Sequence, residues 1–593
     1  MFNDVFAYGT VLFPIYLTEH LPAQKAIIKT TWERYSQMNS GCGAMMPALQ
    51  SALQTQGTTV EQVFPSFSET NYTLDYQDQL VLRTATGIGP DFRPNPWPHS
   101  INNQSPNIVG PNSCFGGRTV ERLGSAYLEF RNDFSDTIGR ALTITTDIYI
   151  DNTTVDPVVK FWAIQQYTPT IISKTIVPNF QLIETIGSTR HYVAKAGVPG
   201  FDSYKWVAMM LVNPKTSGTD VTYTYSAGVI PPAVIYAGGN SKGFVSTNGG
   251  ASWITYTFPS TTSVQAITAV TNTLGLAGYA GTSDLRLWKT TNAGQTFTPT
   301  YNFTSKVPIT TTTSAHKIAL VEVDPNNANV VYVGVRWQDG TKWILRDNAG
   351  ALFKSTDGGQ TFGNDILLHN GSVWVDGAIY SLAIDPRNSN VLYIGQYGYN
   401  NIAQEVMKSV NGGTSWTALS SSSVWTNNGG SARVKISPLD SASIFAITGE
   451  NQWHGVYHST NSGTTWTRIA QPLGGQWGGF FGLAPSLSNK DNATTSGTQD
   501  WFSSIARTKD GFKTWQIINN VFGPNDLEGH PLIDNVLYAP YSNGVRWTFD
   551  GGYTWFDIPL DLISDLSVTR FGGSVAAPQP KSNPPTPIPR AYP

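Results

Sequence analysis

The carboxylates best placed to do chemistry lie in the turn-rich second half of the chain. Hydrolysis of a glycosidic bond needs two carboxyl groups about 5 to 10 Å apart across a cleft, one to donate a proton and one to activate water or attack the sugar. Asp376, within SVWVDGAIY, and Glu450, within TGENQWHG, are the best candidates, followed by Asp339, Asp500 and Asp526. Solvated or turn-forming acids are the favoured interpretation of all five, so no catalytic residue is predicted outright and catalysis is the alternative.

Tryptophans in the same region offer a second chemistry, which is ligand binding. Those in loop-like sequence, several beside Gly, Asn or Gln, include Trp337, Trp374, Trp425, Trp453 and Trp477. An indole ring presents a flat apolar face to a sugar ring, and neighbouring amides can bond the sugar hydroxyls. Packing inside a sheet is the competing interpretation for each tryptophan taken singly.

A repeated octapeptide organises the region that holds these residues. The pattern Ser/Thr-x-Asp/Asn-x-Gly-x-Thr/Ser-Trp/Phe begins at Ser246, Thr290, Ser355, Ser409, Ser459, Thr508 and Thr548. Starts 40 to 65 residues apart indicate a repeat architecture. The third residue caps a tight turn by accepting backbone N–H bonds, Gly permits a positive φ, and the terminal aromatic residue anchors the next strand. The predicted capping residues are Asn248, Asn292, Asp357, Asn411, Asn461, Asp510 and Asp550.

Each repeat also contains an apolar run ahead of its octapeptide, such as VVYVG or VLYIG. Two hairpin-forming elements in roughly 49 residues correspond to four strands, which is the size of one β-propeller blade. Residues 231–570 are therefore predicted to form a seven-bladed β-propeller, with six or eight blades as the alternatives.

The octapeptide resembles the Asp-box, also called the bacterial neuraminidase repeat. That repeat occurs in sialidases, xyloglucan-cleaving glycoside hydrolases, sortilin-type receptors and a photosystem II assembly factor. The resemblance covers about 340 residues and implies the propeller fold, with each box on an outer hairpin, away from the central site. Asn replaces Asp in four boxes, and Phe512 replaces Gly in the box at Thr508, where a distorted turn is expected.

The resemblance does not by itself imply catalysis, because the box is structural. Sialidases also carry a Phe-Arg-Ile-Pro-like motif ahead of the first box. Its nearest counterpart here, Phe92-Arg93-Pro94, lies about 150 residues too early and is interpreted as a coincidence. Nothing in the sequence shows that three of the repeat-region arginines, such as Arg433 and Arg507, converge on a substrate carboxylate.

The remainder of the chain divides into regions that differ in composition and in predicted secondary structure. Residues 1–120 are predicted to be an irregular docking region with helices at about 22–37 and 47–56, and residues 121–230 a β-sandwich or jelly-roll-like domain. Residues 571–593 read as a Pro-rich tail. The predicted fold class is thus mainly β, with a sandwich-like domain preceding a propeller.

Composition excludes several classes of protein. Only 13% of the 593 residues are charged, 37 basic against 40 acidic, and no basic run exists, which argues against nucleic-acid binding. No apolar stretch is long enough to insert into a membrane. Neither zinc-type nor EF-hand-like spacing is present, so no metal or cofactor is predicted. Whether Cys42 and Cys114 form a disulfide stays open.

These features together suggest a bacteriophage virion protein, because the N-terminus reads as a poor secretory signal and the chain is low in charge. In this interpretation residues 1–120 dock on other virion proteins, the protein is a homo-oligomer, and the propeller binds a host surface glycan or receptor. A sialidase-like or xyloglucanase-like glycoside hydrolase and a bacterial assembly scaffold, located outside the cell or in the cytoplasm, are the alternatives.

Overall fold

The computed structural model describes most of the chain from residue 45 to residue 570. The described residues are 45–60, 62–63, 65–66, 97–101, 114–120, 124–132, 139–151, 156–166, 172–214, 220–259, 261–271, 273, 275–310, 313–339, 349–367, 378–398, 406–419, 430–449, 455–469, 478–499, 502–508, 514, 516–519 and 526–570. They form two compact units whose main boundary falls between Pro232 and Ala233.

Helices are few in the described residues. The helix predicted at about residues 47–56 is observed as α1, Met45–Gln54, whereas the one predicted at 22–37 lies outside the described part of the chain. Short 3₁₀ helices span Phe201–Ser203 and Phe303–Ser305.

Ten strands of the first unit form two five-stranded sheets. The strands are β1 Trp97–Ile101, β2 Cys114–Val120, β3 Gly124–Asn132, β4 Ala141–Asp151, β5 Val158–Gln166, β6 Ile172–Ile176, β7 Asn179–Ile186, β8 Thr189–Val198, β9 Trp206–Asn213 and β10 Val221–Ile230. Their orders are β1-β3-β9-β5-β6 and β2-β10-β4-β8-β7. Side chains of both sheets share one core, in which Ile144 and Ile148 of β4 meet Phe161 and Met209 of the other sheet. The alternation of buried and partly exposed residues along β4 follows the period of two that its sequence predicts.

The second unit contains the remaining 27 strands. They are β11 Ala233–Gly239, β12 Lys242–Ser246, β13 Ile254–Thr257, β14 Val264–Ala269, β15 Gly278–Thr282, β16 Arg286–Thr290, β17 Thr298–Asn302, β18 Thr313–Asp324, β19 Asn327–Asp339, β20 Ala349–Ser355, β21 Ile379–Ile384, β22 Leu392–Gly398, β23 Val406–Ser409, β24 Thr417–Ala418, β25 Gly430–Ile436, β26 Ile444–Gly449, β27 Gly455–Ser459, β28 Thr467–Ile469, β29 Gly478–Pro485, β30 Ala493–Gln499, β31 Phe502–Arg507, β32 Gln516–Asn519, β33 Glu528–Gly529, β34 Leu537–Tyr541, β35 Gly544–Thr548, β36 Phe556–Pro559 and β37 Asp565–Arg570.

These strands pair as antiparallel units, which we number repeat sheets 1 to 7. Sheet 1 is β13-β12-β11-β37, sheet 2 is β14–β17, sheet 3 is β18–β20, sheet 6 is β29–β32 and sheet 7 is β33–β36. Sheets 4 (β21–β24) and 5 (β25–β28) are joined through the pairing of β22 with β25. The chain is therefore mainly β, with many four-stranded antiparallel sheets of the kind that form propeller blades.

One strand of each repeat sheet, called its inner strand, contacts the inner strands of its two neighbours. The inner strands follow one another in the closed order β37, β14, β18, β21, β25, β29, β33 and again β37. Closure depends on the last strand of the chain, because β37 pairs with β11 and so completes sheet 1.

The octapeptides form the predicted turns. In the box at Ser355, the buried Ser355 hydroxyl accepts the Gly359 amide at 2.9 Å, and Asp357 Oδ1 accepts the Thr361 amide at 2.9 Å. Asn411 and Asn461 make the same bond to the amide four residues on, at 2.9 and 2.8 Å. Asp510 and Phe512 lie outside the described residues, so the expected distortion of that turn stays a prediction.

Candidate functional site

Six ionisable side chains from inner strands or their immediate ends form what we call the charged cluster. It consists of Glu322 on β18, Arg433 and Lys435 on β25, Asp526 just before β33, Glu528 on β33 and Asp565 on β37. Glu322, Lys435 and Glu528 each stand two residues before an X-Pro pair that follows the inner strand. The same repeat position thus brings charges from sheets 3, 5 and 7 together.

Two ion pairs join sheet 5 to sheet 7 in this cluster. Lys435 Nζ lies 2.8 Å from Glu528 Oε1, and Arg433 Nη1 lies 3.6 Å from Asp526 Oδ1. Sheet 6 lies between these two sheets in the ring order, and its inner strand carries Gly482 next to sheet 7. A Cβ on Gly482 would stand 2.5 Å from the backbone nitrogen of Leu527, so only glycine permits this approach.

Asp565 connects sheet 1 to sheet 2 at the same cluster. Its Oδ2 accepts the backbone N–H of Ile267, an inner-strand residue of sheet 2, at 2.7 Å. Two residues further along β37, Ser567 Oγ accepts the Ala269 amide at 3.4 Å. Polar side chains of β37 therefore fasten the inner strand that closes the ring.

Burial changes the ionisation of these groups. It raises the pKa of Glu322 to about 7, an effect that Lys435 opposes and that Glu528 and Asp526 reinforce. Burial and the neighbouring Asp526 raise the pKa of Asp565 to about 8, against the opposing bond from Ile267. Burial alone would lower the pKa of Lys435, but the carboxylates around it prevail and raise that pKa.

The arrangement supplies the two functions that acid–base chemistry needs. A carboxyl that keeps its proton close to neutral pH can donate it, and a carboxylate paired with a cation can accept one. No described residue bonds the Glu322 carboxyl, whereas Arg433 is beside Asp526. No group of three or more His, Cys, Asp or Glu in the described part of the chain is arranged to hold a metal ion.

The site residues predicted from sequence have different outcomes. Of the loop carboxylates, Asp526 lies in the charged cluster, whereas Asp376 and Glu450 fall outside the described residues. Trp374, Trp425, Trp453 and Trp477 also fall outside them, and a binding role for each stays a prediction.

Trp337 is the predicted ligand-binding tryptophan that the structure does describe. It lies on β19 with 9% of its surface exposed, within a hydrophobic cluster that includes Val335 and Ala349. The His316 ring is roughly parallel to it, with ring centroids 6.3 Å apart. Its surroundings are thus those of a packing residue with one polar neighbour.

The sequence interpretation missed four members of the charged cluster, Glu322, Lys435, Glu528 and Asp565. All four lie on strands, whereas the carboxylates predicted as candidates lie in loop-like sequence. A usable signal existed for three of them, since aligning the repeats on their X-Pro turns places Glu322, Lys435 and Glu528 at one position.

Comparisons with known proteins give one sequence match. A curated xyloglucanase of Hypocrea jecorina (strain QM6a) is 29% identical over 208 residues, which are 34% of this chain and 19% of that protein. The chain thus matches only about a fifth of the length of this relative. No protein-family profile matches the chain.

Solved structures with some likeness include GH74 enzymes and YCF48. A Niastella koreensis GH74 enzyme is 18% identical over 51% of this chain and 46% of its own, with a TM-score of 0.38. A GH74 xyloglucanase from Xanthomonas campestris is 13% identical over 57% and 52%, with a TM-score of 0.39. YCF48 from Cyanidioschyzon merolae is 15% identical over 49% and 84%, with a TM-score of 0.33. Because these TM-scores are low, the description of the fold depends on the strand pairing given above and not on these structures.

No helix among the described residues is long and apolar enough to span a membrane.

Proposed function

We propose that the seven repeat sheets are the blades of a seven-bladed β-propeller, and that its charged cluster hydrolyses glycosidic bonds of a polysaccharide. The blade count is supported by the closed order of seven inner strands. The pairing of the last strand with the first strand of the unit is how such a ring closes without a free sheet edge.

One observation carries the catalytic proposal, the neighbourhood of Glu322 and Asp526. Glu322 has a pKa raised to about 7 by burial, against the effect of Lys435. Asp526 lies near enough to add to that rise and is paired with Arg433 at 3.6 Å. A carboxyl group with a raised pKa close to a second carboxyl group is the kind of pair that supplies the acid and base of glycoside hydrolysis.

The catalytic roles follow from which carboxyl groups of the charged cluster are already bonded to other residues. Glu322 protonates the glycosidic oxygen as its bond to the anomeric carbon breaks. Asp526 removes a proton from the water whose oxygen bonds that carbon. Asp526 suits the base role better than Glu528 or Asp565, because its Arg433 contact of 3.6 Å is longer than the Lys435–Glu528 pair at 2.8 Å and the Ile267–Asp565 bond at 2.7 Å. Further support comes from the xyloglucanase match, which covers only part of both chains.

The test is release of reducing ends from a panel of polysaccharides that includes xyloglucan. We expect hydrolysis by the unchanged chain and a loss of about 100-fold or more in both Glu322→Gln and Asp526→Asn. Asp550→Asn, in the last octapeptide turn, is the matched control, because four other boxes carry Asn at that position. Full activity in both cluster variants would reject these roles.

Virion attachment and glycan binding without hydrolysis stay predictions from the sequence. Most of residues 1–120, which would dock on a particle, lie outside the described residues. Binding of a polysaccharide without release of reducing ends would favour the receptor-binding interpretation over the enzyme.

A further inference from the structure

A cavity of about 340 Å³ lies between repeat sheets 6 and 7, and none of the residues that line it belongs to the charged cluster. Polar residues of both sheets line it, among them Ser486, Ser488, Thr494, Arg507, Asp534 and Asn535. Its volume is at the lower end of the range for small-ligand sites, about 300 to 1,000 Å³.

The cavity exists because one repeat lacks an aromatic ring that the others have. In sheets 2 to 4, the residue just before the octapeptide pairs with a tyrosine of the neighbouring strand, and these tyrosines are Tyr279, Tyr332 and Tyr393. In sheet 6 the residue just before the octapeptide is Arg507, and its partner is Thr494. Those three tyrosine hydroxyls donate to a turn carbonyl of the next sheet, at 2.9, 3.3 and 3.3 Å. Thr494 is too short to fill that space.

Arg507 partly replaces the missing contacts. Its Nη1 donates to the Asp550 carbonyl at 3.3 Å, and its Nη2 donates to Asn535 Oδ1. Its Nε–H has no hydrogen-bond partner among the described residues, although only 7% of the residue is exposed. A buried donor without an acceptor is costly, so a ligand oxygen that supplied one would bind favourably.

We propose that this cavity, the Thr494 cavity, binds a single ring of a neutral sugar. Arg507 and Asp534 contribute one charge of each sign, so the lining favours neither a cation nor an anion. Asp534 already accepts bonds from the Ser486 hydroxyl at 2.6 Å and the Leu487 amide at 3.2 Å. The apolar side chains of Ile533 and Leu537 line the cavity as well. An apolar surface beside hydroxyl and amide groups matches the two faces of a pyranose.

The site is independent of the proposed hydrolysis. It shares no residue with the charged cluster, and it would bind sugar whether or not the protein cleaves one. Glu322→Gln therefore leaves this binding unchanged even where it abolishes hydrolysis, so the failure of one proposal can be told from the failure of the other.

The experiment titrates the full chain with D-glucose, D-xylose and D-galactose in turn, and saturation-transfer NMR measures the binding of each sugar. We expect at least one of the three to bind. Thr494→Tyr, which installs the ring that the other sheets carry, should weaken that binding at least about tenfold. Thr467→Tyr, on the exposed edge strand β28, is the matched control and should bind like the unchanged chain.

Two results would overturn the proposal. One is the absence of binding by all three sugars, and the other is equal binding by Thr494→Tyr and the unchanged chain. Circular dichroism reports whether Thr494→Tyr folds, and if it does not, Thr494→Leu fills part of the same space and must show the same loss.

Discussion

Single positions in the octapeptide turns show how tightly the backbone constrains residue type. The fourth and fifth residues of the described turns have positive φ, as in Gly358 and Gly359 at 74° and 83°. Most fourth residues are glycine, but Ala293 and Ser462 adopt φ of 56° and 58°. A residue with a Cβ is strained in this region, so these two turns are less favourable than their neighbours.

Ala293→Gly should therefore stabilise the protein by about 0.5–1 kcal/mol, because the native φ suits glycine. Gly294→Ala, at the next position, should destabilise it by about 1–3 kcal/mol. There φ is 79° and an added Cβ would stand 2.5 Å from Cγ2 of Val245. Thermal unfolding of both variants provides the check. A lower melting temperature for Ala293→Gly would contradict the account of strain.

The raised pKa of Glu322 has a consequence for stability against pH. The folded protein holds this proton up to about pH 7, whereas an unfolded glutamate loses it near its ordinary pKa of 4.5. Between these values the folded state binds more protons, so stability falls as pH rises through that window. Glu322→Gln, which stays neutral, should remove this part of the decrease, about 3 kcal/mol.

Denaturant unfolding of Glu322→Gln and the unchanged chain at pH 5, 6, 7 and 8 measures this effect. The variant should gain relative stability from pH 5 to pH 7 and little more from pH 7 to pH 8. A difference between the two proteins that does not depend on pH would show that Glu322 is ionised throughout.

At the scale of elements, adjacent sheets are joined by a hydrogen bond between a serine and an aspartate. The aspartate can belong to the earlier or to the later sheet of the pair. Asp385, at the end of the sheet 4 inner strand, accepts the Ser441 hydroxyl of sheet 5 at 2.8 Å. Between sheets 6 and 7 the equivalent positions hold Ser486 and Asp534, and here the serine of the earlier sheet donates to the aspartate of the later one at 2.6 Å. The bond is retained although the residues have exchanged places.

This reciprocity predicts a double-mutant result. Asp385→Ser and Ser441→Asp should each destabilise the protein by about 1–2 kcal/mol, since each leaves a polar group without its partner. The double variant recreates the Ser486–Asp534 order and should lose less than the sum of the two. Urea unfolding of the three variants tests this, and strict additivity would mean that the bond does not connect the sheets energetically.

The sequence predicted the repeat elements well and the site poorly, for physical reasons. Octapeptide turns are local, so Asp357 and its serine and threonine partners can be recognised from spacing alone. The charged cluster depends on which strands meet in the ring, a long-range property that places Glu322 near Asp526 across about 200 residues of sequence. Asp526 can be predicted as a candidate from its loop-like sequence, whereas Glu322, Lys435 and Glu528 become visible only when the repeats are aligned with one another.

At the scale of the whole molecule, ring closure depends on a strand from the far end of the chain. β37 pairs with β11 over six residue pairs, from Ala233 with Arg570 to Gly238 with Asp565. Without β37, β11 would present unpaired backbone groups, and Asp565 would no longer bond the Ile267 amide.

A chain shortened to end at Ser564 should therefore unfold at a lower temperature, with a broader transition, and should aggregate more readily. The matched control ends at Arg570 and keeps all described strands. Calorimetry with light scattering compares the two. Equal melting temperatures in the shortened chain and its control would show that β37 does not hold the ring closed.

Reducing-end release from xyloglucan at pH 6 and pH 8 tests whether the charged cluster hydrolyses a polysaccharide. Release should be time-dependent and faster at pH 6, where Glu322 with its pKa of about 7 keeps its proton, and Glu322→Gln should release nothing above background. Absence of release at both pH values, or equal release by Glu322→Gln, would contradict hydrolysis by the charged cluster.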